Sequence, residues 1–237
     1  MKITLVKCKS LLGPTGLPAD YCINPYTGCE HGCKYCYARF MRRYSGHREP
    51  WGEFVDVKIN GPEMLQKEIK SKKRGRVYLS SVTDPYQPLE KKFKLTRQIL
   101  KILKKAGWPV TIQTKSDLVL RDLDILKDYR GVKVGFTITT TDDQIRKAFE
   151  PKSSPVDRRF DALKKLKKVG ICTFCMIAPI LPKLTDVAAI KKRLGNSVDF
   201  IWEDKLNIRY GNWSDIEKTV KKYYPELLSD FRDTKSR

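Results

Sequence analysis

Residues 24–39 read NPYTGCEHGCKYCYAR, and the three cysteines in this stretch, Cys29, Cys33 and Cys36, stand in a C-x3-C-x2-C spacing. Three thiolates in one loop can grip a single inorganic centre without help from distant residues. Iron–sulfur clusters are held by such thiolates, and the ferredoxin pattern supplies a fourth. No fourth cysteine follows here at a suitable spacing, so one iron of a four-iron cluster is left for a substrate or cofactor to bind. Soft thiolates also suit zinc. His31 lies between the first two cysteines, so a Cys3His zinc site can be written down. Zinc sites normally bring two ligand pairs together across an intervening segment. Packing four ligands into residues 29–36 would strain the tetrahedron. On the cluster reading His31 is a loop residue beside the metal.

Working outward, residues 19–23 read as a short strand that delivers the loop, with Cys22 a small core residue on it. Before it, residues 1–20 carry Gly13, Pro14, Gly16 and Pro18, and read as an extended lead-in with turns. Residues 33–44 look helical and 45–60, with Trp51, look like loop. Further strands are expected at 76–81, 108–113, 132–139, 171–178 and 198–202. Helices are expected between them at 62–73, 93–106, 117–129, 154–169 and 184–194. The helix at 93–106 places Leu95, Ile99, Ile102 and Leu103 on one face. A last helix, capped by Ser214, runs to about Phe231 with an interruption near Pro225.

Strands alternating with helices call for a parallel sheet. A continuous apolar strand such as ICTFCMIA suits a sheet buried on both faces. Right-handed crossovers then curl it into a partial (β/α)6 barrel of the α/β class. The expected division is a lead-in over 1–18, the barrel over 19–210, and a C-terminal helix packing on it over 211–237. Chemistry in such barrels sits at the C-terminal ends of the strands. The cysteine loop falls there, as do Ser80 to Asp84, Thr114 and Lys115, Thr137 to Thr141, Pro179, and Glu203 with Asp204.

The chain of 237 residues carries a formal net charge of +21. That surplus favours polyanionic partners, nucleic acid first and an anionic membrane second; the alternative is a solvated lysine-rich surface. No segment approaches the apolar run that spans a bilayer, and MKITLVKCKS lacks the apolar core of a secretory signal. The seven cysteines are odd in number and clustered, which fits a reducing cytoplasm.

The cysteine spacing, with Tyr35 just before the last cysteine, resembles that of the radical S-adenosylmethionine (radical SAM) superfamily. SSVTDPYQPLE at 80–90, TKS at 114–116, FEPKSSPVDRR at 149–159 and APILP at 178–182 narrow the resemblance to its spore photoproduct lyase branch, the photolyase-related proteins. It covers residues 19–209. It implies an enzyme of lyase-like or modification chemistry, with a 4Fe–4S cluster on Cys29, Cys33 and Cys36. It also implies that SAM chelates the open iron and is cleaved by one electron to a 5′-deoxyadenosyl radical, and that a ferredoxin- or flavodoxin-type partner supplies that electron. By the same resemblance, Ser81, Thr83 and Asp84 lie near the methionyl amino group, and Lys115 meets the carboxylate as a point charge. Thr137 and Thr139 face the ribose, and Tyr35 packs near the adenine. Arg159 is a second carboxylate partner or a surface helix residue. One departure matters: the lyase has a hydrogen-donating cysteine where this chain has Ser81, whose O–H bond is much harder to break homolytically. The lyase's C-terminal extension has no counterpart in the resemblance either, so a different substrate is expected.

Cys172 and Cys175 form a C-x2-C inside a strand, where residues three apart point to opposite faces. Joint chelation is not expected; they read as core residues, or one of them as a thiol facing the barrel interior. Arg39, Arg42, Arg43 and Arg48 interleave with Tyr37, Tyr44 and Trp51, a mixture that binds phosphates and stacks bases. The expected activity is therefore radical SAM chemistry on DNA or RNA. The alternatives are the same chemistry on a protein side chain or small metabolite, and a non-catalytic zinc-stabilised nucleic-acid-binding module.

Overall fold

Each of the six apolar runs becomes a strand in the computed structural model, which describes residues 1–234. In chain order the strands are β1 (Lys2–Val6), β2 (Leu12–Gly13), β3 (Tyr21–Ile23), β4 (Tyr26–Thr27), β5 (Phe54–Lys58), β6 (Val77–Leu79), β7 (Val110–Thr114), β8 (Val132–Thr137), β9 (Cys172–Ile180) and β10 (Phe200–Lys205). The main sheet has the order β10-β9-β8-β7-β6-β3-β2. Its strands from β10 to β3 are all parallel, and β2 adds an antiparallel edge on β3. The architecture is a partial (β/α)6 barrel.

The helices are α1 (Arg42–Ser45), α2 (Gly61–Ser71), α3 (Glu90–Phe93), α4 (Leu95–Lys105), α5 (Leu123–Leu126), α6 (Asp143–Phe149), α7 (Val156–Lys168), α8 (Val187–Leu194), α9 (Trp213–Tyr223) and α10 (Leu228–Asp233). On α4 the buried Leu95, Ile99 and Leu103 recur at the helical repeat. Burying each such side chain contributes about 1.5–3 kcal/mol. Ile99 and Leu103 join one core with Val77, Val110, Val134 and Cys175 from the sheet, while Leu95 packs with Tyr26, Val55 and Val57 of β4 and β5.

Several local expectations are corrected. Residues 45–60 are not all loop: β5 lies within them, and it pairs in parallel with β1 and antiparallel with β4. The lead-in therefore contains a strand. Asp56 hides β5 in the sequence, because a charge interrupts the apolar pattern; in the fold it meets His47 Nε2 at 2.8 Å. The helix expected from 33 begins only with a 3-10 turn at Tyr37–Met41, so the cysteines occupy turns ahead of it. Strand β10 extends past 202, which puts Glu203 and Asp204 within the strand rather than after it. Helix α6 was not foreseen.

At the C-terminal end, Asn212 rather than Ser214 precedes α9. Ile216 and Val220 of α9 and Phe231 of α10 pack with Phe149, Leu181 and Cys33, so these helices support the cysteine loop from behind. Among the described residues no helix is long and apolar enough to cross a membrane.

Candidate active site

The cysteine loop is wedged against its neighbours by glycine. Gly28 has φ +86°, and a Cβ there would lie 2.4 Å from the Phe54 carbonyl. Gly52 has φ +94°, and a Cβ there would lie 2.7 Å from Gly32 Cα. Only a residue without Cβ permits both the left-handed backbone and the contact. The loop thus folded turns Cys29, Cys33 and Cys36 into one cavity of about 640 Å³, within the range of small-molecule sites. Burial pushes all three thiols up, Cys33 to about 12, although Lys115 beside Cys33 pulls its thiol down. Thiolates there need a cation to hold them.

His31 Nδ1 lies 3.4 Å from Asp84 Oδ2, so its ring is given to a carboxylate. Among the described residues no three His, Cys, Asp or Glu side chains are gathered closely enough for a single metal ion. The three thiols line one cavity, and with its ring engaged by Asp84 His31 does not complete a Cys3His set.

The strand ends supply the rest of the wall. Asp84 Oδ1 accepts from Thr114 Oγ1 at 2.6 Å and from Tyr86 N at 2.8 Å, and Oδ2 accepts from Lys115 N at 2.8 Å. Burial works against its charge, but His31, Thr114 and the Lys115 N–H outweigh it and hold Asp84 down at about 2. Lys115 makes no ion pair among the described residues; its ammonium stands 5.7 Å over the Tyr35 ring. Burial favours losing its proton, yet Cys33 and Glu150 outweigh burial and keep its pKa above the usual value. The cavity wall thus offers one free ammonium and one firmly ionised carboxylate. The buried Ser80 Oγ on the same wall has no hydrogen-bond partner among the described residues, whereas Ser81 Oγ is occupied. The Cys22 thiol donates to Ser81 Oγ at 3.1 Å, and Asn24 Nδ2 reaches the same oxygen at 3.3 Å. Thr83 Oγ1 donates to the Gly28 carbonyl at 2.6 Å, so it fastens the cysteine loop, and Thr137 Oγ1 accepts from Gln113 at 2.8 Å. Both still line the cavity.

Three expected contacts lie elsewhere. Arg159 is 1% exposed and gives its guanidinium to Glu150, to Ser153 Oγ and to the carbonyls of Thr137 and Ser154 at 2.9 Å each. It is neither a free carboxylate partner nor a surface residue. Tyr35 OH donates to the same Glu150, and Thr139 Oγ1 does so at 3.2 Å. The carboxylate of Glu150 collects all three behind the wall. Arg159 and Lys115 hold it below the usual carboxyl range despite its burial. Its partners lie far apart in sequence, so nothing local announced the cluster.

Arg39 is also committed: it meets Asp215 at 3.0 Å and the carbonyls of Lys34 and Cys36 at 2.9 and 3.0 Å. Trp51 is buried against Phe54 and walls the cavity rather than stacking on a ligand outside it. On β9, Met176 and Ala178 face the cavity while Cys175 faces the core. Neither Cys172 nor Cys175 lines the cavity. Sequence reasoning missed Tyr78, Gln113 and Met176, which strand alternation would have found. It also missed Asn207, Arg209 and Tyr210, which a loop brings from far along the chain.

Comparison with known proteins agrees with this arrangement. A sequence model of the radical SAM superfamily matches residues 23–191. An uncharacterized protein of Methanocaldococcus jannaschii is 41% identical over 228 residues, 95% of this chain and 85% of that one. A protein of Pseudomonas phage M6 named radical SAM Nα-GlyT isomerase is 26% identical over 220 residues, 88% of this chain and 44% of the phage protein. Among solved structures, spore photoproduct lyase complexed with a dinucleoside spore photoproduct has the same fold, with TM-score 0.64 and 20% identity over 93% of this chain and 66% of the lyase. Streptococcus suis SuiB bound to its precursor peptide SuiA matches with TM-score 0.56 and 14% identity, over 88% of this chain and 46% of SuiB. The extent of the family match and the cavity with its three cysteines make the chain a member of the radical SAM superfamily, an enzyme whose cofactors are a 4Fe–4S cluster and SAM.

Proposed function

We propose that Cys29, Cys33 and Cys36 hold the cluster and that the substrate is a nucleic acid. When bound, the cofactors supply an electron from the cluster to SAM and a 5′-deoxyadenosyl radical that abstracts hydrogen from the substrate. The protein's part is to bind, orient and shield. The Lys115 ammonium takes the SAM carboxylate, and the Asp84 carboxylate, held ionised, takes the methionyl ammonium. Ser80 Oγ, buried and without a partner among the described residues, is better placed for a further hydrogen bond to the cofactor than Ser81, whose hydroxyl is engaged. Thr83 and Thr137 line the remaining wall.

One observation carries the nucleic-acid reading. Arg42, Arg43 and Arg48 follow the cysteine loop directly, are exposed, and make no ion pair among the described residues. In a chain of net charge +21, unpaired guanidiniums a few residues past the cavity-lining Phe40 are ready for phosphates. The lyase in complex with a dinucleoside photoproduct supports this reading. SuiB with its peptide is the reason to test polypeptides in parallel.

The test is anaerobic incubation of the reconstituted enzyme with reductant, SAM, and either single- and double-stranded oligonucleotides or peptides. Substrate-dependent formation of 5′-deoxyadenosine with an oligonucleotide is expected. Stimulation by peptides alone would overturn the nucleic-acid reading. The same preparation should hold about four irons, lost on Cys→Ala at 29, 33 or 36 and kept in Cys22→Ala and Cys175→Ala.

A further inference from the structure

Three aromatic rings meet at the mouth of the cavity. Phe40 and Tyr210 both line it, with ring centroids 5.0 Å apart and planes at 54°. Phe40 also meets Tyr44 edge-on at 6.2 Å. Tyr44 is 78% exposed and Tyr210 50% exposed. Tyr44 and Tyr210, joined through Phe40, thus present exposed ring surface to water next to the opening of the cavity.

The backbone singles out Tyr210. Its φ is +53°, in the left-handed region where a bulky side chain is an outlier. Gly211 follows with φ +77°, so a residue free of that strain stands next door. The loop is also fastened on both sides of the tyrosine. The Asn212 side chain donates to the Tyr35 and Asn207 carbonyls at 2.9 Å each and accepts from Arg209 N at 3.0 Å. Arg39 reaches the Gly211 carbonyl at 3.4 Å and Asp215 at 3.0 Å. Tyr210 is thus tied to the cysteine loop through the carbonyl of Tyr35, next to Cys36. Strain that surrounding structure enforces at a cavity mouth marks a side chain whose position matters.

Charge decides what the rings face. Arg42 and Arg43 directly precede Tyr44 on α1 and make no ion pair among the described residues, and Arg209 lines the cavity beside Tyr210. Flat rings interleaved with guanidiniums match alternating bases and phosphates. A peptide offers no such repeat of anions.

We propose that Phe40, Tyr44 and Tyr210 form a stacking platform for a nucleobase adjoining the one that enters the cavity, with its phosphates against Arg42, Arg43 and Arg209. The platform rests on the nucleic-acid reading and adds to it a requirement for unstacked bases. The face of a base is open to such rings only in a single strand or beside an extruded nucleotide.

The experiment measures binding of the cluster-loaded enzyme, at low salt, to a labelled single-stranded oligonucleotide and to the same strand with abasic sites at successive positions. The wild type should prefer the base-bearing strand by about 10- to 100-fold. Tyr210→Ala and Tyr44→Ala should fall to the abasic affinity, Tyr210→Trp should restore the preference, and Tyr223→Ala, at an exposed tyrosine on α9, should keep it. Tyr44→Ala carries the test if Tyr210→Ala loses its cluster, since Tyr44 is almost fully solvated. Equal wild-type affinity for both strands would overturn the platform and leave the nucleic-acid reading standing. An unchanged preference in Tyr44→Ala together with Tyr210→Ala would overturn it equally. Absence of binding to either strand would overturn the nucleic-acid reading itself.

Discussion

Lys115 brings a buried positive charge to the cavity wall without an ion-pair partner among the described residues, and Cys33 and Glu150 keep it protonated. A charge so placed is held for a ligand. Lys115→Ala should weaken SAM binding by about 10- to 100-fold, the loss of one charge-assisted hydrogen bond, while cluster iron stays constant. Equilibrium dialysis with labelled SAM measures this, and unchanged affinity would remove Lys115 from the site. At this scale the sequence was most legible where chemistry is local. Three cysteines in one loop, and Asp84 and Lys115 just past strand ends, declare themselves by spacing and motif. Tyr35, Thr139 and Arg159 stand behind the wall rather than on it, because what organises them is Glu150, whose partners come from three separate segments. Ser80 and Ser81 are adjacent, and only the fold shows which hydroxyl is free.

Among the elements, the six parallel strands of the main sheet were legible as apolar or alternating runs of strand length. Strand β5 was not, since Asp56 interrupts it and the compensating His47 stands 9 residues earlier, outside the strand. The link between α6 and α7 carries Glu150, buried against Arg159. An unfolded glutamate titrates near 4.3, and the native one titrates lower. The native state therefore binds fewer protons, so Glu150 stabilises the fold fully above about pH 4 and loses that contribution as the pH falls further. Glu150→Gln leaves Arg159 buried without its counter-charge and should cost about 3–5 kcal/mol at neutral pH. The difference in urea midpoint between wild type and variant, taken on cluster-free protein, should narrow in acid. A gap that stayed constant down to pH about 3 would show that Glu150 is not held below its unfolded value.

For the molecule as a whole, net charge predicts affinity for polyanions but not where they sit. If Arg42 and Arg43 line the binding path, replacing both by Ala should weaken nucleic-acid binding and flatten its salt dependence by up to about two phosphate contacts. Replacing Lys164 and Lys168, exposed on α7, should change little. Equal effects would mean a diffuse field. The long-range parts of the mouth, Asn207 to Tyr210, were illegible because they reach the cysteine loop only through tertiary contacts. The contact of Gly52 with Gly32 governs a different property, endurance in air. The Gly52 segment carries Trp51 against the cysteine loop, and a Cβ at 52 would fall 2.7 Å from Gly32 Cα, so Gly52→Ala must lift that cover. Dioxygen attacks iron–sulfide wherever it can diffuse to it. The variant should therefore hold as much iron as wild type under argon, yet bleach several-fold faster once exposed to air. Identical bleaching rates would show that this cover does not limit the entry of dioxygen.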